Sequence, residues 1–280
     1  MADSTLTSDE AERLRAFERR RHDALANSYA DFFTPVTRLA IDPLLRAVHL
    51  APGQTLLDVA TGPGSVAGVA ADRGAQTYGI DLSSAMVTLA RLLHPSIVFD
   101  VADAERLPYS DGRFDAVVCS FGLGHFPCPE AVIAECVRVA RPNGWIAVSW
   151  WSDPGRMRIQ GLFREAIAEI GATPPPDVPV NNSMLRFCDA AALRTLLTNA
   201  GLHDIVVQDH EALHTVPNGD TLWRGGLGSF ALTAASIAYQ DEATQQAIRA
   251  SLLRRAEAYR TADGLALPVA FNVAAGRRPQ

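Results

Sequence analysis

Long apolar runs are missing from this chain of 280 residues: none approaches the roughly 18 residues that a membrane-spanning helix requires. Cysteine is scarce too. Cys119, Cys128, Cys136 and Cys188 form no C-x-x-C pair and the seven histidines are scattered, which argues against a zinc cluster and a disulfide framework and for a reduced, cytoplasmic setting. Positive charge is in deficit: 25 Lys and Arg against 31 Asp and Glu give a net charge of −6, so no broad nucleic-acid-binding face is expected. The opening Met1-Ala2-Asp3-Ser4-Thr5 is polar and acidic and lacks the basic-then-apolar order of a secretory signal. What remains is an ordinary globular composition, 48% hydrophobic and 20% charged, long enough to bury a substantial core.

The most informative stretch is Leu56-Leu57-Asp58-Val59-Ala60-Thr61-Gly62-Pro63-Gly64-Ser65-Val66-Ala67. It reads as a strand, a tight turn and a helix N-terminus. Gly62 and Gly64 let the turn bring its backbone close to a ligand, and the helix behind it favours an anionic group. The rest of the first 151 residues alternates. Strands are expected at Thr55–Ala60, Gln76–Ile80, Ile97–Val101, Phe114–Phe121 and Trp145–Trp151, with helices at Val66–Arg73, Ser83–Leu93 and Pro129–Val139 between them. Arg141-Pro142-Asn143-Gly144 reads as a turn. This alternation implies a parallel α/β sheet covered on both faces, with ligands at the carboxyl ends of its strands. Asp81, Asp103 and Ser120 fall at such ends.

Flanking this core, residues 1–50 form N-terminal helices expected to cover the site, with the basic run Arg19-Arg20-Arg21-His22 as a solvated face. Residues 51–280 form the main domain, with cap insertions around 152–187 and 218–262. Within these, Thr173–Pro179 is a stiff proline-rich connector, and Asp220–Ala238 and Glu242–Tyr259 look helical. Strands at Ile205–Val216 and Leu265–Ala274 close the sheet.

Asp81 lies about 20 residues beyond the glycine turn, where an acid binds ribose hydroxyls of NAD or of S-adenosylmethionine. Asp58 separates the two: it would repel a pyrophosphate but attract an ammonium. Asp103-Ala104 can pair with an adenine edge through a carboxylate and a backbone N–H.

Asp58-Val59-Ala60-Thr61-Gly62-Pro63-Gly64, Gly79-Ile80-Asp81-Leu82-Ser83, Ala102-Asp103-Ala104 and Phe114-Asp115-Ala116-Val117-Val118-Cys119-Ser120 resemble the ordered motifs of class I S-adenosylmethionine-dependent methyltransferases. Val137–Trp145 also matches, with Asn143 where a glycine is usual. The resemblance is strong over residues 54–151. It implies a Rossmann-like sheet of seven mostly parallel strands, the last antiparallel and inserted between the fifth and sixth. It further implies that Asp58, Ala60 and Gly62 line the methionine end, that Thr61 and Gly64 also belong to the cofactor site, and that Asp81 holds the ribose. Leu82 and Met86 would cover the adenine, Asp103 and Ala104 would read its edge, and the Ser120 backbone would hold the amino group. Tyr29, in Ala26-Asn27-Ser28-Tyr29-Ala30, resembles the tyrosine segment that folds over the cofactor in quinone-type members.

His125, just past the fourth strand, is the expected general base or substrate contact, with His210 and His214 as lesser candidates for the same cleft. Cys119-Ser120 stands where metal-dependent catechol-type enzymes carry an acid, so no metal is expected. Ser120-Phe121-Gly122-Leu123 lacks the Asn/Asp-Pro-Pro-aromatic motif of amino-methylating DNA enzymes, and Pro127-Cys128 lacks the flanking signature of cytosine-C5 enzymes. The expected partner is a small hydrophobic metabolite, suggested by Phe17, Tyr29, Trp223 and Phe230. The oligomeric state is open, with a homodimer among the options. Two alternatives stand beside methyl transfer: a cofactor-binding fold acting as a cyclase or binding protein, and an NAD-dependent oxidoreductase.

Overall fold

A computed structural model describes residues 6–176, 178 and 183–280, so Met1–Thr5 and part of the proline-rich connector lie outside the described residues. Three helices come first: α1 (Ser8–Phe32), α2 (Thr34–Thr37) and α3 (Ile41–Ala47). A capping box starts α1, Glu10 N donating to Thr7 Oγ1 (3.3 Å) and Thr7 N to Glu10 Oε2 (2.8 Å). The alternating region then gives β1 (Thr55–Val59), α4 (Ser65–Asp72), β2 (Gln76–Asp81), α5 (Ser84–Leu93), β3 (Val98–Val101), β4 (Phe114–Ser120), α6 (Pro129–Val139) and β5 (Ala140–Trp151). The remainder supplies α7 (Arg158–Ile170), α8 (Ser183–Arg186), α9 (Ala190–Asn199), β6 (His203–Val216), α10 (Gly219–Leu227), α11 (Ala231–Ala238), α12 (Glu242–Ala256), β7 (Arg260–Thr261) and β8 (Gly264–Arg277).

The strands lie in the order β3-β2-β1-β4-β5-β8-β6. The first five run parallel, and β8 enters antiparallel between β5 and β6. This is the seven-strand arrangement expected, with one addition: the two-residue β7 pairs with the start of β8. The central strands read as unbroken apolar runs because helices cover both faces; Leu56, Leu57, Val59, Val117 and Val118 are fully buried. Edge strand β6 instead alternates exposed and half-buried positions. Among the described residues, no helix is long and apolar enough to cross a membrane.

One local expectation is corrected and one refined. Arg141–Gly144 is not a free turn but a bulge within β5, which begins at Ala140. Asn143 takes a left-handed φ of 64°, which asparagine tolerates. The final strand holds it there: Asn143 N donates to the Arg278 carbonyl (3.1 Å) and Arg278 N to the Gly144 carbonyl (2.8 Å). The span Asp220–Ala238 is two helices, α10 and α11, because the chain breaks where α1 packs against it. There Ser28 Oγ donates to the Gly228 carbonyl (2.5 Å).

Candidate active site

The carboxyl ends of β1, β2 and β4 come together by register: Val59 pairs with Ile80 on one side and with Cys119 on the other. The next residue of each strand therefore opens into one cleft of about 240 Å³. Tyr29, Asp58, Ala60, Thr61, Gly62, Asp81, Leu82, Met86, Asp103, Ala104, Ser120 and His125 all line it. Gly64 does not. It is the N-cap of α4 at φ 82°, and a Cβ there would stand 2.9 Å from the Phe99 ring and 3.0 Å from His94. Its part is to let α4 sit down on α5 and β3.

The chain is bent hard at this edge. Ala60 and Phe121, the residues just beyond β1 and β4, both have φ of 55°, a rare conformation for a side-chain-bearing residue and a strained one for phenylalanine. Phe121 is held there by stacking on Trp151, ring centroids 3.7 Å apart.

Asp58 is 1% exposed and accepts from Thr61 Oγ1 (2.6 Å) and Ala67 N (3.2 Å), both on Oδ2. Its Oδ1 is buried without a partner. Burial pushes this carboxyl up to about 7, against the two hydrogen bonds; the nearby Asp81 charge adds to the rise. An orphaned carboxylate oxygen beside a glycine turn and a helix N-terminus suits a zwitterionic amino acid end, whose ammonium supplies the missing donor. Asp81 accepts from Gly62 N (2.9 Å) and Ser83 N (2.9 Å), which ties the β1 turn to the start of α5. Loss of hydration raises its pKa, countered by these N–H groups and by His22 and His125.

Helix α1 lies over this edge and is fastened at three places. Arg15 reaches Glu105 (Nη2–Oε2, 2.6 Å) and Asp103 (Nε–Oδ2, 3.4 Å). Asp23 Oδ1 accepts from Ser83 Oγ (2.6 Å) and Ala85 N (3.1 Å) at the start of α5. Glu18, only 4% exposed, brings Oε2 to 3.2 Å from His125 Nδ1 and 3.4 Å from His22 Nδ1. Burial works against the Glu18 carboxylate, yet the imidazoles hold its pKa below the ordinary glutamate value. Burial likewise disfavours the His125 imidazolium, but Glu18, with help from Asp81, raises its pKa above the ordinary value. The Tyr29 hydroxyl is pushed well up by burial.

Glu18, His22 and His125 each offer a donor atom within 4.8 Å of the others, the spacing of a metal-ligand set. The hydrogen bonds assign these nitrogens otherwise. His22 Nδ1 lies 2.9 Å from the Glu18 carbonyl, which can only accept, so this nitrogen carries a proton rather than a lone pair.

Opposite the glycine turn the cleft is apolar and aromatic. Phe33 packs edge-on to Phe230 (4.8 Å) and tilts against Trp151 (5.4 Å), and Phe126, Met184 and Leu232 complete the wall. Both cap insertions contribute, through Gln160, Arg164 and Met184 from one and Ser229–Thr233 from the other. Of the aromatics singled out in the sequence, Tyr29 and Phe230 line the cleft. Phe17 and Trp223 do not: Phe17 is buried in the α1 packing and Trp223 stacks on Phe163 (5.9 Å). His210 and His214 are absent from the lining as well, since they stand on edge strand β6, where His210 stacks on Phe271 (5.3 Å).

Glu18 and Arg15 are the residues that sequence reasoning missed. A signal for Glu18 exists. It follows Phe17 on the stripe formed by Leu14 and Leu25, so an acid occupies a helix position that the apolar spacing turns inward. Among the described residues no arginine pairs with this buried acid, so it needs another partner.

Comparison with known proteins agrees with this fold. The methyltransferase domain family matches residues 57–148. A demethylmenaquinone methyltransferase of Beutenbergia cavernae is 36% identical over 146 residues, covering 50% of this chain and 60% of that protein. The one from Paenarthrobacter aurescens is 30% identical over 180 residues, covering 61% of this chain and 70% of that protein. The match thus takes in little more than half of the first relative's length. In fold, the chain resembles the phosphoethanolamine N-methyltransferase 2 of Haemonchus contortus, solved with phosphomonomethylethanolamine and S-adenosylhomocysteine. That likeness has a TM-score of 0.57 at 18% identity and covers 95% of this chain and 60% of that one. By its domain and its relatives alike, the chain belongs to the class I S-adenosylmethionine-dependent methyltransferases.

Proposed function

We propose that this protein binds S-adenosylmethionine in the cleft and, without a metal, transfers its methyl group to a small, hydrophobic acceptor, with His125 as general base. The observation that carries the reading is the orphaned Asp58 Oδ1 at the mouth of a turn whose next strand ends in Asp81. Asp58 would take the ammonium, with the Ser120 backbone beside it, and the α4 N-terminus would take the carboxylate. Asp81 would hold the ribose; Leu82 and Met86 would cover the adenine, with Asp103 and Ala104 at its edge; Tyr29 would close over the cofactor from α1. Bound S-adenosylmethionine supplies an electrophilic methyl group, so the protein's task is alignment and exclusion of water, and alignment alone can contribute about 7–11 kcal/mol. The aromatic wall of Phe33, Phe121, Trp151 and Phe230 favours a flat, apolar acceptor. All four cysteines are free thiols, which suits a reducing, cytoplasmic setting.

Calorimetry with S-adenosylmethionine and S-adenosylhomocysteine tests the reading. Both should bind, and Asp81→Ala should weaken both by about 1.5–3 kcal/mol, roughly 10- to 150-fold. Failure of either ligand to bind the wild-type protein sinks the proposal; an unchanged affinity in the variant removes Asp81 from the ribose.

A further inference from the structure

We propose that Glu18 of α1 is the positioning residue for His125, fixing its tautomer so that Nε2 faces the acceptor as the base; this rests on the methyl-transfer reading above. The two side chains are 107 residues apart in sequence yet meet at 3.2 Å, Glu18 Oε2 to His125 Nδ1. The carboxylate has almost no access to water, and among the described residues its charged contacts within 4 Å are imidazoles. An ionised carboxylate only accepts, so Nδ1 must carry the hydrogen. Nε2 is then the ring nitrogen left for chemistry, on a side chain that lines the cleft. His22 Nδ1, whose hydrogen goes to the Glu18 backbone carbonyl, lies 3.4 Å from the same carboxylate, and its ring meets His125 edge-on, ring centroids 5.1 Å apart, while Trp150 backs the His125 ring at 5.8 Å. The ring is therefore held from three sides, as a base orienter requires.

The arrangement specifies the acceptor's chemistry. A base is useful only where the reacting atom carries a proton, a hydroxyl in the simplest case. That proton passes to Nε2, and the electron pair it leaves forms the bond to the incoming methyl carbon. The carbon–sulfur pair stays on sulfur, and the imidazolium returns its proton to water. Acceptors that attack through a free lone pair, such as thioethers or tertiary amines, make no use of the pair.

Other charges face His125 besides its partner. His22 lies on α1, Asp81 ends β2, and Glu105 follows β3 and accepts from Cys128 N (3.0 Å) in the same loop. Arg186 on α8, which packs on the turn holding His125, pairs with Glu130 (2.7 Å).

NMR titration of the histidine rings in the ligand-free chain of 280 residues tests the proposal, with His125→Ala used for assignment. In the wild type His125 should be an Nδ1–H tautomer when neutral and titrate above the ordinary histidine value. In Glu18→Gln its midpoint should fall by about one pH unit or more, while S-adenosylhomocysteine affinity by calorimetry stays within twofold. A wild-type His125 that is an Nε2–H tautomer, or that titrates at or below the ordinary value, overturns the proposal whether or not the variant folds. So does stoichiometric Zn²⁺ or Mn²⁺ binding that Glu18→Gln abolishes, since the carboxylate is then a ligand. If the wild type does not bind S-adenosylhomocysteine, the methyl-transfer reading fails instead, and the titration result stands separately.

Discussion

Asp58→Asn should move binding and stability in opposite directions. In the folded protein the carboxyl titrates near 7 because burial opposes its charge. If it receives the ligand's ammonium, it must be ionised first. About one molecule in eleven is ionised at pH 6 and about ten in eleven at pH 8, so S-adenosylhomocysteine should bind about tenfold more tightly at the higher pH. The variant cannot ionise: its affinity should be flat across that range and lower at pH 8 by about 1.5–3 kcal/mol, the scale of a charge-assisted hydrogen bond. Stability runs the other way. The folded carboxyl keeps its proton up to about 7 whereas an unfolded one releases it near 3.8, so raising the pH through that window favours the unfolded chain. At about 1.4 kcal/mol per pH unit over this window the loss is about 4.5 kcal/mol, an upper limit because Asp81 shares the local charge. The ligand-free variant should therefore outlast the wild type in thermal unfolding at pH 8, while the two converge below pH 4. Calorimetry from pH 6 to 8.5 and parallel melting curves decide it. A wild-type affinity independent of pH, or a variant that binds equally well at pH 8, refutes the reasoning.

Two further substitutions separate scaffold from site. Gly64→Ala places a Cβ against Phe99 and His94 at a left-handed φ, and should cost about 2 kcal/mol or more of stability. Because Gly64 caps the α4 N-terminus, any shift of that terminus should also weaken S-adenosylhomocysteine binding; melting curves and calorimetry together check this. Ser83→Ala removes the acceptor for Met86 N and the donor to Asp23. A loss of about 1–2 kcal/mol is expected, with faster amide exchange at Ala85 and Met86.

Much of the parallel sheet was legible because its strands are short, apolar and bounded by acids or glycine, and the acids at their ends fall in the cleft by register alone. What escaped depends on contacts between distant segments. The Asn143 bulge looks like a turn until a strand more than 130 residues later pairs with it. Trp223 and Phe17 are indistinguishable in sequence from Tyr29 and Phe230, and only the packing of α1, α7 and α10 decides which face the cleft. Glu18 was hidden in a basic, solvent-like run whose inward position shows only when the helix phase is counted from Leu14.

The place of β8 in the sheet bears on how the chain acquires its shape. Every other strand of the sheet precedes it in sequence, yet β6 joins the sheet only through it. While the chain is being synthesised, β5 must wait with an open edge for both caps and the α9–β6 segment between them, some 110 residues. An unpaired edge beside a buried apolar strand is the feature most prone to pair with a neighbouring chain. A nascent chain that stops before Gly264 thus lacks the strand that seals it, and is the form expected to aggregate or recruit chaperones.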